Sequence, residues 1–116
     1  MSRAPKPSGS RPIVSQYAND PEMAELVELF ISELPTRLNA FQSAWRANQF
    51  RDLRRMAHQL KGASAGYGFP AIGDAAGALE HRLGEVEQEA SLQALKSIGE
   101  EFSRLVDLCS RACARG

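Results

Sequence analysis

His58 is the residue whose sequence surroundings most clearly point to chemistry. Lys61 follows it by three residues and Gly62 by four, inside a stretch with a helical pattern. Residues three and four apart on a helix lie beside each other on one face. The imidazole would therefore have an ammonium group on one flank and no side chain on the other. Because glycine inside a helix costs on the order of 1 kcal/mol relative to alanine, we interpret Gly62 as giving a large anionic group access to the ring.

Helical periodicity places His58 on an exposed, cationic face. With Leu60 as the inward direction and about 100° per residue, His58 lies roughly 160° from the core. The cations of the same face are Arg51, Arg54, Arg55 and Lys61. Such a face suits a phosphoryl group, whereas a metal site would need several converging His, Cys or carboxylate ligands. The alternative is an ordinary solvated histidine, against which the cations and the glycine argue.

Composition indicates one small domain. The 116 residues include 14 basic and 14 acidic side chains, and 43% are hydrophobic, enough for a single modest core. Zero net charge argues against nucleic acid or acidic membranes as partners. No apolar run reaches the roughly 20 residues of a membrane span, and no apolar signal peptide opens the chain. We expect a cytoplasmic protein, and Met1 with its polar tail favours a free-standing one.

The apolar spacing predicts an all-α fold, an antiparallel up-and-down four-helix bundle without strands. Residues 1–12 are expected to form a flexible tail or linker, and residues 13–116 the bundle, with a short N-terminal segment from Ile13 that covers one end. Asp20 is the predicted cap of the first helix, and Gly84 the predicted end of the third. The predicted helices span, in order, residues 20–48, 50–67, 70–84 and 90–112.

Side chains on the apolar stripes are expected to form the core. The stripes include Leu26 in the first helix and Leu92 in the fourth. Cys109 and Cys113, four residues apart on the last helix, are interpreted as small apolar side chains in a reducing compartment.

Glu80 is the expected partner of His58. The turn between the second and third helices is centred near Phe69, eleven residues from each of them. Equidistant positions of an antiparallel helical hairpin lie at the same height, and Glu80 falls at the edge of its buried stripe. A carboxylate that accepts from one ring nitrogen leaves a lone pair on the other, as a nucleophile requires. Gly73, Gly77 and Gly84, on the same side as Glu80, would keep that flank thin.

The run from His58 to Gly66 resembles the histidine-containing phosphotransfer (HPt) domain family. The resemblance rests on His58, Lys61, Gly62 and Ser64, with an acid or amide twenty-two residues after the histidine. Together with the start of the first helix, it covers about residues 13–113.

The resemblance implies a role for each of these residues. His58 would accept a phosphoryl group on Nε2 from a receiver-domain aspartate and pass it to another. Lys61 would neutralise the phosphate, Gly62 would give access to the ring, and Glu80 would orient it. Arg51, Arg54 and Arg55 have no family role, and we interpret them as steering acidic receiver surfaces.

The partners implied are response-regulator receiver domains, a hybrid histidine kinase, or both, with the chain itself a monomer. We expect a phosphocarrier and not an enzyme, because the sequence has no glycine-rich nucleotide loop and no acidic Mg²⁺ site. No cofactor is expected on the chain, and Mg²⁺ would belong to the receiver.

Three alternatives remain open at the level of sequence. Nucleic-acid binding could use the stripe of Arg51, Arg54, Arg55 and Lys61, although the stripe lacks interleaved aromatic side chains and the domain lacks a basic net charge. A helical adaptor could bind a receiver or kinase domain without being phosphorylated, although Gly62 would then have no purpose. An enzyme could use His58 and Glu80 as an acid/base pair, although a convex helix face is a poor site for a small substrate.

Overall fold

Four helices make up most of the described chain, residues 11–114 of a computed structural model. The helices are α1 (Ala24–Arg46), α2 (Phe50–Gly66), α3 (Pro70–Gln88) and α4 (Leu92–Ser110). All four contribute side chains to one hydrophobic core, and the most extensive contact between helices joins α2 to α3. The predicted all-α, four-helix fold is confirmed. The tail predicted for residues 1–12 lies almost entirely outside the described residues.

Two helix ends differ from the prediction. Asp20 does not cap α1 directly: its Oδ1 accepts from the Glu22 N–H at 2.9 Å, in a turn that precedes the first helical residue, Ala24. The third helix does not end at Gly84 but continues one turn to Gln88, where Val86 still packs into the core. Burial of an apolar side chain there outweighs the low helix propensity of a single glycine.

A short parallel strand pair, absent from the prediction, joins the two ends of the described chain. Strand β1 (Ile13–Val14) pairs with β2 (Ala112–Cys113), so the fourth helix stops before Ala112. The Ile13 N–H donates to the Arg111 carbonyl at 2.7 Å, and the Ser15 N–H donates to the Cys113 carbonyl at 3.2 Å. Two residues are too few to show the alternating pattern by which a strand is recognised. The N-terminal covering segment is thus extended.

Leu26 and Leu92, predicted to face the core, are exposed. Leu26 is 46% exposed, because the inward face of α1 is centred on Val27, Phe30 and Leu34. Leu92 is 87% exposed at the first residue of α4, ahead of the first fully buried position of that helix.

The α2–α3 turn is fixed by Gly68. Its φ of 87° lies in the left-handed region, and a Cβ there would come within 2.6 Å of Ser15 Oγ. That hydroxyl donates to the Tyr67 carbonyl at 2.7 Å, while the Gly68 carbonyl accepts from the Gln16 N–H at 2.9 Å. Only glycine satisfies both the backbone angle and the close approach of the N-terminal segment. The second helix, predicted to end at residue 67, ends one residue earlier at Gly66.

Cys109 and Cys113 are free thiols. Cys109 is buried in the core, and desolvation by burial raises its pKa from 9.0 to about 12. Its thiol therefore behaves as a small apolar group at neutral pH. Cys113 is half-buried, and its Sγ lies 3.8 Å from the Ile13 carbonyl oxygen.

Candidate functional site

His58 lies on the outward face of α2, with 70% of its side chain exposed. Its Nδ1 lies 2.9 Å from Glu80 Oε2 on α3, so the contact predicted from the symmetry of the α2–α3 turn is confirmed. Glu80 is only 22% exposed. A largely buried carboxylate thus holds one edge of the imidazole, while the other edge faces solvent.

This hydrogen bond fixes the tautomer of the ring. An ionised carboxylate only accepts, so Nδ1 carries the proton and donates it to Glu80. Nε2 then presents its lone pair outward, and it has no hydrogen-bond partner among residues 11–114. An oriented, exposed imidazole nitrogen with a free lone pair is equipped for nucleophilic attack.

Lys61 lies on the other side of the same carboxylate. Its Nζ is 4.0 Å from Glu80 Oε1, and its side chain is 55% exposed. Its aliphatic part crosses α3 at Gly77, where a Cβ would lie 3.4 Å from Lys61 Cδ. The cation is therefore held close to the ring, and its exposed ammonium group remains able to bind a second anion.

Gly62 leaves open space beside the ring. A Cβ built there would meet no atom within 4 Å, so nothing within the described protein requires a glycine at this position. Gly73 is different, because its Cβ would lie 3.3 Å from the Lys61 carbonyl oxygen, and this close approach brings α2 against α3. Contacts within residues 11–114 therefore do not account for the helix-propensity cost of Gly62.

The three arginines that precede His58 differ in their contacts. Arg54 forms an ion pair and a hydrogen bond with Glu87 of α3. Arg55 faces Asp52 of its own helix at 3.5 Å. Arg51 is exposed and lines, together with the other two and with His58, a groove of about 550 Å³ beside the ring.

Glu87 is the site residue that sequence reasoning missed. Taken alone, it resembles any surface acid near a helix end. The signal that could have found it is spacing, because Glu87 follows Glu80 by seven residues as Gly84 follows Gly77. Two turns of helix return a side chain to nearly the same face.

No group of three or more His, Cys, Asp or Glu side chains able to hold a metal ion occurs within residues 11–114. None of the helices in this range combines the length and apolar character needed to cross a membrane.

A family model described as the Hpt domain matches residues 25–114, well over half of the chain. No curated protein and no solved structure matched the chain in the other two comparisons. The match spans all four helices and includes both His58 and Glu80. Hpt domains are phosphocarrier modules of two-component signalling. This chain, whose exposed imidazole on α2 is hydrogen-bonded to a glutamate of α3, belongs to the Hpt domain family.

Proposed function

We propose that the chain relays a phosphoryl group between receiver-domain aspartates through His58. The observation that carries the proposal is the Nδ1–Glu80 hydrogen bond on a ring that is 70% exposed. It gives the imidazole one orientation and one available nitrogen. Lys61 neutralises the phosphate, and Gly62 leaves room for the receiver.

In the transfer step, the Nε2 lone pair forms the N–P bond while the P–O bond to the receiver aspartate breaks. The electron pair of that P–O bond stays on the aspartate carboxylate. The Nδ1 proton stays in its hydrogen bond to Glu80, which stabilises the positive charge that develops on the ring. The reverse sequence passes the group to a second receiver, and Mg²⁺ is expected on the receiver in both steps.

The expected partners are receiver domains, a hybrid histidine kinase, or both. The cationic side chains around the ring suit the acidic surface of a receiver active site, with Arg51, Arg54 and Arg55 steering the approach. We place the protein in the cytoplasm and expect it to act as a monomer, with residues 1–12 as a tail or linker.

The test is transfer of label from a phosphorylated receiver domain to the chain. Wild type should acquire label that is labile in acid and stable in alkali, the behaviour of a phosphoramidate. His58→Gln, which keeps an exposed polar side chain, should acquire none. Equal labelling of both would contradict the assignment, and binding without labelling of wild type would favour the adaptor.

A further inference from the structure

Two cations of α2 contact α3 in the same way. Lys61 crosses Gly77 and faces Glu80, the residue three positions after that glycine. Arg54 crosses Gly84, where a Cβ would lie 3.4 Å from Arg54 Cζ. It pairs with Glu87, again three positions after the glycine. We call these the lysine arm (Lys61, Gly77, Glu80) and the arginine arm (Arg54, Gly84, Glu87).

The two arms are related by seven residues on both helices. Arg54 precedes Lys61 by seven, and the glycine and the glutamate of the arginine arm follow their counterparts by seven. Because α2 and α3 run in opposite directions at these contacts, the repeat places the two arms one after the other along the hairpin axis. His58 lies between them, four residues after Arg54 and three before Lys61.

These contacts with α3 distinguish Arg54 from the other two arginines. Its guanidinium lies over Gly84 of α3 and its side chain is 47% exposed, whereas the Arg55 side chain is 62% exposed and pairs only with Asp52 on its own helix. A side chain held in one place loses less conformational freedom when it binds a ligand than a freely moving one does. Arg54 is thus preorganised beside the ring.

We propose that Arg54 is a second phosphate ligand, which binds the phosphoryl group on His58 from the side of the ring opposite Lys61. This inference rests on the proposed function. Arg54 and His58 line the same groove of about 550 Å³, and side chains four apart on a helix are neighbours. A guanidinium has five N–H donors, so Arg54 can keep a bond to Glu87 while others reach the phosphate.

The charge balance of the site explains why a second cation is useful. A phosphoryl group brings nearly two negative charges at neutral pH. It would lie close to the Glu80 carboxylate, whose Oε2 is 2.9 Å from the other ring nitrogen. Lys61 alone supplies one positive charge and shares it with Glu80. Arg54 compensates the repulsion that a glutamate creates at this position.

The test uses a small donor, so that steering of a protein partner makes no contribution. With phosphoramidate, the donor N–P bond breaks, a new bond forms between phosphorus and His58 Nε2, and ammonia leaves. The initial rate and the lifetime of phosphohistidine are measured for wild type, Arg54→Gln, Arg54→Lys and Arg51→Gln. Arg104→Gln, which removes an exposed arginine of α4, controls for net charge.

Arg54→Gln should lower the initial rate about fivefold, the scale of one charge-assisted hydrogen bond in a half-exposed site. Arg54→Lys should recover part of it, Arg51→Gln should lose less than about twofold, and Arg104→Gln should match wild type. Equal rates for Arg54→Gln and Arg51→Gln would overturn the inference while leaving the proposed function intact. A wild type that takes no phosphoryl group at His58 contradicts the function, and the inference with it.

A second variant displaces Arg54 without removing it. Gly84→Leu fills the space that the guanidinium occupies, and Gly99→Leu makes the same change on α4, where a Cβ meets nothing within 4 Å. Thermal unfolding identifies folded samples. Among these, Gly84→Leu should show the loss seen with Arg54→Gln, and a rate equal to that of Gly99→Leu would show that the glycine does not position Arg54.

Discussion

At the scale of single residues, the central feature is a shared carboxylate. Glu80 holds His58 Nδ1 with one oxygen and faces Lys61 with the other, at 2.9 and 4.0 Å. The carboxylate thus orients the imidazole and keeps a cation beside it. The same negative charge would repel a bound phosphate. We assign to the cations on either side of the ring the role of compensating this repulsion.

Replacing Glu80 separates these two effects. Glu80→Ala removes the acceptor for Nδ1, and we expect transfer from a receiver to slow about three- to tenfold, the scale of one lost hydrogen bond. Glu80→Gln retains an acceptor oxygen and removes the charge. It should therefore transfer faster than Glu80→Ala and give a longer-lived phosphohistidine than wild type. Rapid-quench measurement of both rates checks this, and equal rates for Glu80→Ala and wild type would show that the hydrogen bond has no part in transfer.

Gly62 should matter only when a large partner approaches. Gly62→Gln places a side chain in open space, so we expect an unchanged or slightly higher melting temperature with transfer from a receiver slowed at least tenfold through steric exclusion. The matched control is Gly99→Gln, also in open space but on α4. An unchanged transfer rate in folded Gly62→Gln would contradict the interpretation of this glycine as an opening for the partner.

His58 and Glu80 could be paired from the sequence, whereas for Arg54 and Glu87 the seven-residue spacing indicates only a shared helix face and not the contact itself. The first pair follows from equal distances to a turn marked by glycines and Pro70, a signal present in the chain itself. The second depends on how close two helices approach, and that distance is set by contacts such as Gly73 against the Lys61 backbone. Close approach is a property of packing, which periodicity does not report.

At the scale of elements, the α2–α3 hairpin determines the site, and its turn determines the hairpin. Gly68 lies between the two helices, and the N-terminal segment donates hydrogen bonds to the Tyr67 and Gly68 carbonyls. The register that brings Glu80 to His58 therefore depends on a turn about three helical turns away from each of them.

A pair of alanine substitutions tests this dependence. Gly68→Ala should lower the free energy of unfolding by about 1–3 kcal/mol, because alanine disfavours the left-handed region and its methyl would clash with Ser15. Gly66 lies in α2, and a Cβ there would meet no atom within 4 Å. Gly66→Ala should therefore raise the free energy of unfolding by about 0.5–1 kcal/mol. Urea unfolding followed by circular dichroism measures both, and equal values for the two variants would show that the turn is not strained.

Helix existence was predictable from sequence, and helix ends were less so. Long apolar stripes predict four helices, because each stripe marks a helix face that a neighbouring helix must cover. The extension of α3 past Gly84 depends on the burial of Val86. The β1–β2 pair depends on two chain segments about a hundred residues apart coming together. Tertiary contacts decided both.

At the scale of the whole molecule, the core is separated from the face that carries His58. The buried faces of the four helices contain hydrophobic side chains, whereas the site lies on the outside of two of them. Substitutions at the site should therefore change transfer with little effect on folding, and substitutions in the core should do the reverse.

Cys109 provides a pH-dependent test of the core. Burial raises its pKa from 9.0 to about 12, so between these values the folded chain retains a proton that the unfolded chain has lost. Its contribution to stability is complete below pH 9 and is lost as the pH rises toward 12. The free energy of unfolding should fall more steeply above pH 9 for wild type than for Cys109→Ala, with Cys113→Ala as control. Parallel profiles for wild type and Cys109→Ala would contradict the burial of this thiol.

The most direct measurement identifies which ring nitrogen carries the phosphoryl group. Phosphorylated protein labelled with ¹⁵N in histidine is observed by NMR, and the coupling to phosphorus assigns the N–P bond. With Nδ1 held by Glu80, the bond should form at Nε2 of His58 and nowhere else. A phosphoryl group on Nδ1, or on His81 in place of His58, would contradict the account.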